Sequence, residues 1–245
     1  MVYAVIFAGG VGSRMEIESM PKQFIPIHGK PLLIHTLEKF QHHKAVDGIV
    51  IACIESWTER LWTMLHGYGI NKVMDIVPGG DTGHDSIWQG LKRLRQDASD
   101  EDIVLIHDGV RPLINGELIN RNIQSVREHG SAITSESVRE SVVVSADGDQ
   151  IDHVPPREHM YIAKAPQSFY FGDIYGIYQK AQAEGKKSID SAHLCNMYDF
   201  SLHLVKSPRH NMKITDPMDY YMCCAIFDAK EREVIFDKME NKGGK

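Results

Sequence analysis

Apolar residues fall in short, dense runs along the first half of the chain. Residues 2–7, 48–54, 73–77 and 103–106 are almost continuously apolar, which predicts strands buried on both faces. Between these runs the apolar spacing lengthens. Residues 31–40 place Leu33, Leu37 and Phe40 on one helical face, with Pro31 suited to a first turn. Residues 56–68 and 86–95 also read as helices. Alternating strand and helix predict an α/β fold with a mainly parallel sheet covered on both sides.

The strands end in chemically useful turns: Gly9-Gly10, Pro78-Gly79-Gly80 and His107-Asp108-Gly109. Ligands of open α/β sheets bind beyond the carboxyl ends of the strands. Residues 9–14, 79–86 and 107–111 are therefore expected to share one ligand-binding edge. After Ala132 the pattern changes. Residues 141–145 and 151–154 flank Asp147-Gly148, a hairpin signal that predicts two extended strands projecting from the domain. A helix over 172–185, a late strand over 202–205 and a helix from Asp216 complete the pattern. Thr215 or Asp216 would cap that helix, and Pro217 would open it.

Composition narrows the function. The chain has 245 residues, 42% hydrophobic and 24% charged, values of a folded globular protein rather than a disordered one. No apolar run reaches membrane-spanning length, and residues 1–10 lack the basic segment of a secretory signal. The formal net charge of −6 argues against a general nucleic-acid partner. An acidic protein can still hold a phosphorylated small molecule where its basic residues converge locally. Cys53, Cys195, Cys223 and Cys224 form neither a zinc spacing nor a disulfide framework, so a reducing, cytoplasmic setting is expected. His42-His43 read as a solvated pair, and His107 as structural.

One glycine-rich loop carries the first chemistry. Ala8-Gly9-Gly10-Val11-Gly12-Ser13-Arg14 is followed by Pro21-Lys22-Gln23-Phe24. Clustered glycines let backbone amides approach an anion, and Arg14 and Lys22 add two cations. The spacing fits neither the dinucleotide fingerprint nor the P-loop. Taken alone, the loop also suits a structural turn with two solvated cations.

The wider set of motifs resembles the cytidylyltransferases acting on ribitol 5-phosphate or 2-C-methyl-D-erythritol 4-phosphate. It comprises the glycine loop with Lys22, Gly79-Gly80-Asp81 with Asp85-Ser86, and His107-Asp108-Gly109-Val110-Arg111-Pro112. Pro166-Gln167 and Asn211-Met212-Lys213-Ile214-Thr215 complete it. The resemblance spans residues 2–220. It implies a single Rossmann-like nucleotidyltransferase domain over 1–240, with a β-arm over 138–160 and a frayed tail at 241–245.

The implied reaction is attack by a polyol-phosphate oxygen on the α-phosphorus of CTP, with loss of pyrophosphate. Arg14, Lys22 and Lys213 would stabilise phosphate charge. Ala8, Gly9, Gly10, Gly12, Gly80, Asp81 and Ser86 would hold CTP. Asp108, Arg111, Ser141, Arg157 and Lys164 would serve the acceptor. Mg²⁺ is the implied cofactor, held mostly by phosphates, with Asp108 its one candidate protein ligand.

The arm implies a homodimer, with Arg157 delivered to a partner's site. Each residue also has a plainer reading. Ser86 suits an N-cap, Asp108 a turn residue beside Gly109, and Arg139 and Arg157 surface charges on a ribbon.

Residues 7–10, 31–40, 160–161 and 165–169 resemble the ribitol branch more than the erythritol branch. CDP-ribitol for teichoic acid or capsule is therefore the expected product. The erythritol acceptor, another nucleotide such as UTP, and a non-catalytic nucleotide-binding regulator are the alternatives. The chain departs from the family pattern in three places. Ala165 stands where threonine is usual, with Lys164 before it. His210 replaces a residue that is often acidic, and Thr82-Gly83-His84 replace charged residues.

Overall fold

A computed structural model describes residues 1–9 and 20–240, with side chains of the last helix described through Arg232. Gly10, Gly12, Arg14 and the tail 241–245 lie outside the described residues. Strand β1 (Val2–Ala8) leads to a 3₁₀ turn, Lys22–Phe24, and a small ribbon of β2 (Pro26–Ile27) and β3 (Lys30–Pro31). Helix α1 (Leu32–Gln41), β4 (Gly48–Cys53), α2 (Thr58–Gly67), β5 (Val73–Pro78), α3 (Gly83–Leu94) and β6 (Ile103–Asp108) follow in alternation. Then come α4 (Gly116–His129), β7 (Ser131–Ser137), the arm, β8 (Tyr161–Tyr170), α5 (Phe171–Ala183), α6 (Ser191–Asn196), β9 (Leu204–Lys206) and α7 (Pro217–Glu240).

The sheet has seven strands in the order β5-β4-β1-β6-β8-β7-β9. Its first four are parallel, and β8 runs antiparallel to both β6 and β7. Side chains alternate between faces with period two. Ala4 and Ile6 pack toward α1, α2 and α4, where Leu33, Leu37, Leu61 and Ile119 are buried. Tyr3 and Val5 face the opposite layer, where Ile87, Leu91, Ile174 and Leu194 of α3, α5 and α6 are buried. This two-sided burial explains the continuous apolar runs. A third cluster of Ile27, Leu32, Val110, Leu113 and Ile214 seats Cys223 of α7.

The structure shifts several expectations. Helix α3 begins at Gly83 rather than Ser86. Thr82 is its cap: the Thr82 hydroxyl accepts from the Asp85 amide at 3.1 Å and donates to the Asp85 carboxylate at 2.7 Å, a reciprocal capping arrangement. Ser86 is thus inside the helix and is not its cap. Pro31 precedes α1 as the flanking residue. The arm is less regular than expected. Its two limbs meet in a single antiparallel bridge, Val144 to His153, around Gly148 at φ 80°. Two strands without a covering layer bury too little apolar surface to zip further. Helices α4 and α6 and strands β7 and β8 were not foreseen.

Candidate active site

The carboxyl ends of β1 and β6 meet the turn after β5 at one edge of the sheet. There Gly9 and Gly79 touch backbone to backbone. A Cβ on Gly9 would lie 2.7 Å from Ser86 Oγ and 3.4 Å from Gly79 Cα, and one on Gly80 would lie 2.3 Å from Asp85 Cβ. Only glycine permits this approach. Buried Ser86 ties the loop together by accepting from the Gly80 amide at 3.1 Å and donating to the Thr82 carbonyl at 2.9 Å. The Gln23 amide donates to the Ala8 carbonyl at 2.6 Å, and Phe24 stacks on Trp57 at 4.2 Å. Together they fix the turn that carries Lys22.

Two cavities open on this edge. The smaller, about 140 Å³, is lined by Ala8, Gly9, Lys22 and Ser86 among others. The larger, about 280 Å³, is lined by Arg111, Lys164, Ala165, Gln167 and Ile189 among others. Phe7, Gly83, Asp108 and Lys213 line both, so the two are lobes of one cleft joined at a charged wall.

Asp108 is the centre of that wall. It is buried at the end of β6. Its carboxylate receives Arg111 Nε at 2.7 Å and Lys213 Nζ at 2.6 Å. Burial alone would raise its pKa, but Arg111 and Lys213 outweigh burial and hold it well below the usual carboxylate range. Lys213 also stands 5.8 Å over the Phe7 ring, a cation–π distance. Its segment is strapped in place. Asn211 donates to the Ala165 carbonyl at 2.8 Å, and the Ile214 amide donates to the Val110 carbonyl at 3.0 Å. Beneath Asp108, burial pushes His107 down to about 4, so its imidazole is neutral. His107 is 3.2 Å from the Arg111 carbonyl, consistent with its structural reading.

The expected residues fall into four groups. Ala8, Gly9, Lys22, Ser86, Asp108, Arg111, Lys164 and Lys213 line the cleft. Gly80 and Asp81 line neither lobe: Gly80 is bonded to Ser86, which does, and Asp81 is exposed. Ser141 and Arg157 lie exposed on the arm and line neither lobe, and Arg157 donates to the Arg139 carbonyl at 2.8 Å. Gly10, Gly12 and Arg14 are not among the described residues. Lys164 is already engaged by Glu136 at 2.5 Å, a partner the sequence did not signal. Phe7, Ile189 and Asp190 were also missed. Asp190 caps α6 by accepting from the His193 amide at 2.7 Å, and Gln167 donates to it at 3.0 Å. Ile189 is 87% exposed at the cleft mouth, a lone apolar residue in a polar loop.

Among the described residues no cluster of three or more His, Cys, Asp or Glu side chains is arranged to hold a metal. Asp108 still has unused lone pairs beside its two cations. The residues therefore fit Mg²⁺ only as an ion carried by substrate phosphates with one protein carboxylate.

Comparison with known proteins agrees with this geometry. The family model for 2-C-methyl-D-erythritol 4-phosphate cytidylyltransferase matches residues 2–229. A ribitol-5-phosphate cytidylyltransferase of Streptococcus agalactiae serotype Ia is 47% identical over 96% of this chain and 99% of its own. Its namesake in Vibrio parahaemolyticus is 44% identical over 96% of this chain and 100% of its own. The crystal structure of 4-diphosphocytidyl-2C-methyl-D-erythritol synthase from Anaerococcus prevotii superposes with a TM-score of 0.80. It is 27% identical, covering 93% of this chain and 96% of that one. The nucleotidyltransferase fold, the charged cleft and these relatives converge: the chain belongs to the 2-C-methyl-D-erythritol 4-phosphate cytidylyltransferase family and is a cytidylyltransferase.

Proposed function

We propose that the enzyme transfers the cytidylyl group of CTP to D-ribitol 5-phosphate, releasing pyrophosphate and forming CDP-ribitol. The observation that carries this reading is the two-lobed cleft joined at Asp108 and Lys213. Both reactants are polyanions, so a cation at the junction suits the oxygen–phosphorus bond being made. Lys22 and the glycine edge suit the triphosphate in the smaller lobe. The larger lobe suits the acceptor. Lys213, oriented by Asp108, would stabilise charge on the α-phosphoryl group in the transition state. Mg²⁺, if carried in by the phosphates, would neutralise their charge, with Asp108 as its protein ligand.

The ribitol acceptor is favoured because the relatives at 47% and 44% identity bear that name. The erythritol-named structure is more distant, at 27%. The arm completes the site in a homodimer, where Arg157 and Ser141 of each copy would reach the other's acceptor. CDP-ribitol made in the cytoplasm would supply surface polymers such as teichoic acid or capsule. Pyrophosphate release with CTP and Mg²⁺ tests the assignment, comparing ribitol 5-phosphate with 2-C-methyl-D-erythritol 4-phosphate. A higher kcat/KM for ribitol 5-phosphate is expected. Preference for the erythritol acceptor overturns the substrate, and silence with both while CTP binds overturns the reaction.

A further inference from the structure

Glu136 and Lys164 form an ion pair at the wall of the larger lobe. Their strands pair with Glu136 opposite Ile162 and Ser135 opposite Ala163, and Lys164 follows at the start of a register shift. Lys164 Nζ lies 2.5 Å from Glu136 Oε2, and the side chains are only 11% and 22% exposed. Lys164 lines the lobe, and Glu136 stands behind it.

The charges around this lobe nearly cancel. Arg111 and Lys213 share Asp108, Lys164 is met by Glu136, and Asp190 is occupied as a helix cap. A cation matched one to one by a carboxylate, as Lys164 is and as Arg111 and Lys213, sharing Asp108, are not, offers little net field to a phosphate. It still offers N–H donors, because an ammonium has three and Glu136 needs one. A cavity that is balanced in charge and rich in directed donors and acceptors is built for hydroxyl groups.

We propose that the Glu136–Lys164 pair reads the hydroxyl groups of the acceptor's carbon chain. Lys164 donates to a chain hydroxyl, and Glu136 is a positioning residue that aims the ammonium. The acceptor phosphate then lies at the Asp108–Lys213 wall, where the new bond forms, and the polyol extends toward Lys164. In this arrangement Lys164 is not a phosphate ligand. The inference rests on the cytidylyltransferase reading above and assigns the acceptor's hydroxyl contacts within it.

The test compares ribitol 5-phosphate with its mono-deoxy analogues in the intact enzyme, in Lys164→Met, and in Glu136→Gln with Lys164→Met. The double variant removes both charges together and avoids an unpaired buried carboxylate. The wild-type enzyme is expected to disfavour one deoxy analogue by roughly 10–100-fold in kcat/KM, the scale of losing one hydrogen bond to a charged group. Both variants should lose that preference, with KM for CTP unchanged. A Lys164→Arg variant should retain part of it. Equal loss of activity on ribitol 5-phosphate and every analogue would overturn the inference, because a phosphate or purely structural role weakens all of them alike. Wild-type silence with every polyol phosphate would instead sink the cytidylyltransferase reading, and this inference with it.

Discussion

Asp108 is buried, ionised and shared by two cations, so removing its charge has two separable consequences. Asp108→Asn keeps the shape but leaves Arg111 and Lys213 without their counter-charge. Stability should fall by about 3 kcal/mol, the scale of breaking a buried ion pair, which urea unfolding would measure. Turnover should fall on the order of 10²–10³-fold as Lys213 loses its orientation, while CTP binding in the smaller lobe persists. Unchanged turnover in a stably folded variant would remove Asp108 from the site. The sequence displayed Asp108, Arg111, Lys22 and Lys213 as candidates because strand ends and charged residues are local signals. It did not display their pairing. Arg111 lies three residues from Asp108, yet Lys213 reaches the same carboxylate through a fold contact that spacing does not encode. Glu136 was invisible for the same reason: its meaning depends on strand register.

At the scale of elements, the parallel half was legible and the antiparallel half was not. Strands β1, β4, β5 and β6 are apolar on both faces because helices cover both. Strand β8 is exposed for its first three residues and buried only from Ala165, so it presents no continuous run. Helix α4 carries local signals at both ends, an Asn115 cap and Gly130 in the left-handed region at φ 81°. The C-terminal helix α7 offers an element-scale prediction. His28 lies 2.7 Å from Asp228 and 3.2 Å from Glu231. The hydrogen bond it donates to Glu231 raises its pKa above the ordinary 6.5, with Asp228 adding to the effect. A raised histidine stabilises the folded form fully below 6.5 and ceases to do so as pH rises through its folded value. Hydrogen exchange in α7 should therefore quicken between pH 6 and 8.5 beyond the intrinsic rate, and His28→Gln should abolish that excess. Identical protection in the two proteins at both pH values would count against the clasp.

At the scale of the whole molecule, the arm is the feature a single chain leaves unexplained. Val143, Ile151 and Val154 are 51–59% exposed on it, with one bridge holding its limbs together. If the arm joins two copies, sedimentation should give a dimer. Replacing residues 141–154 with a short turn should give a monomer that binds CTP but turns over ribitol 5-phosphate at least ~10²-fold more slowly, having lost a phosphate-positioning cation. A fully active monomer would overturn the shared site.

The reversal of direction between β6 and β8 has a consequence for how the cleft can be remodelled. Because β8 enters at the edge where β6 ends, and β7 leaves at that same edge, the arm and the Lys164 wall form one continuous stretch of chain. The glycine edge of the smaller lobe comes from an earlier, separate stretch. Under the proposed roles, rewriting this one inter-strand connection and its flanks would remodel one wall of the acceptor lobe, whose other walls carry Arg111, Ile189 and Lys213, without touching the glycine edge.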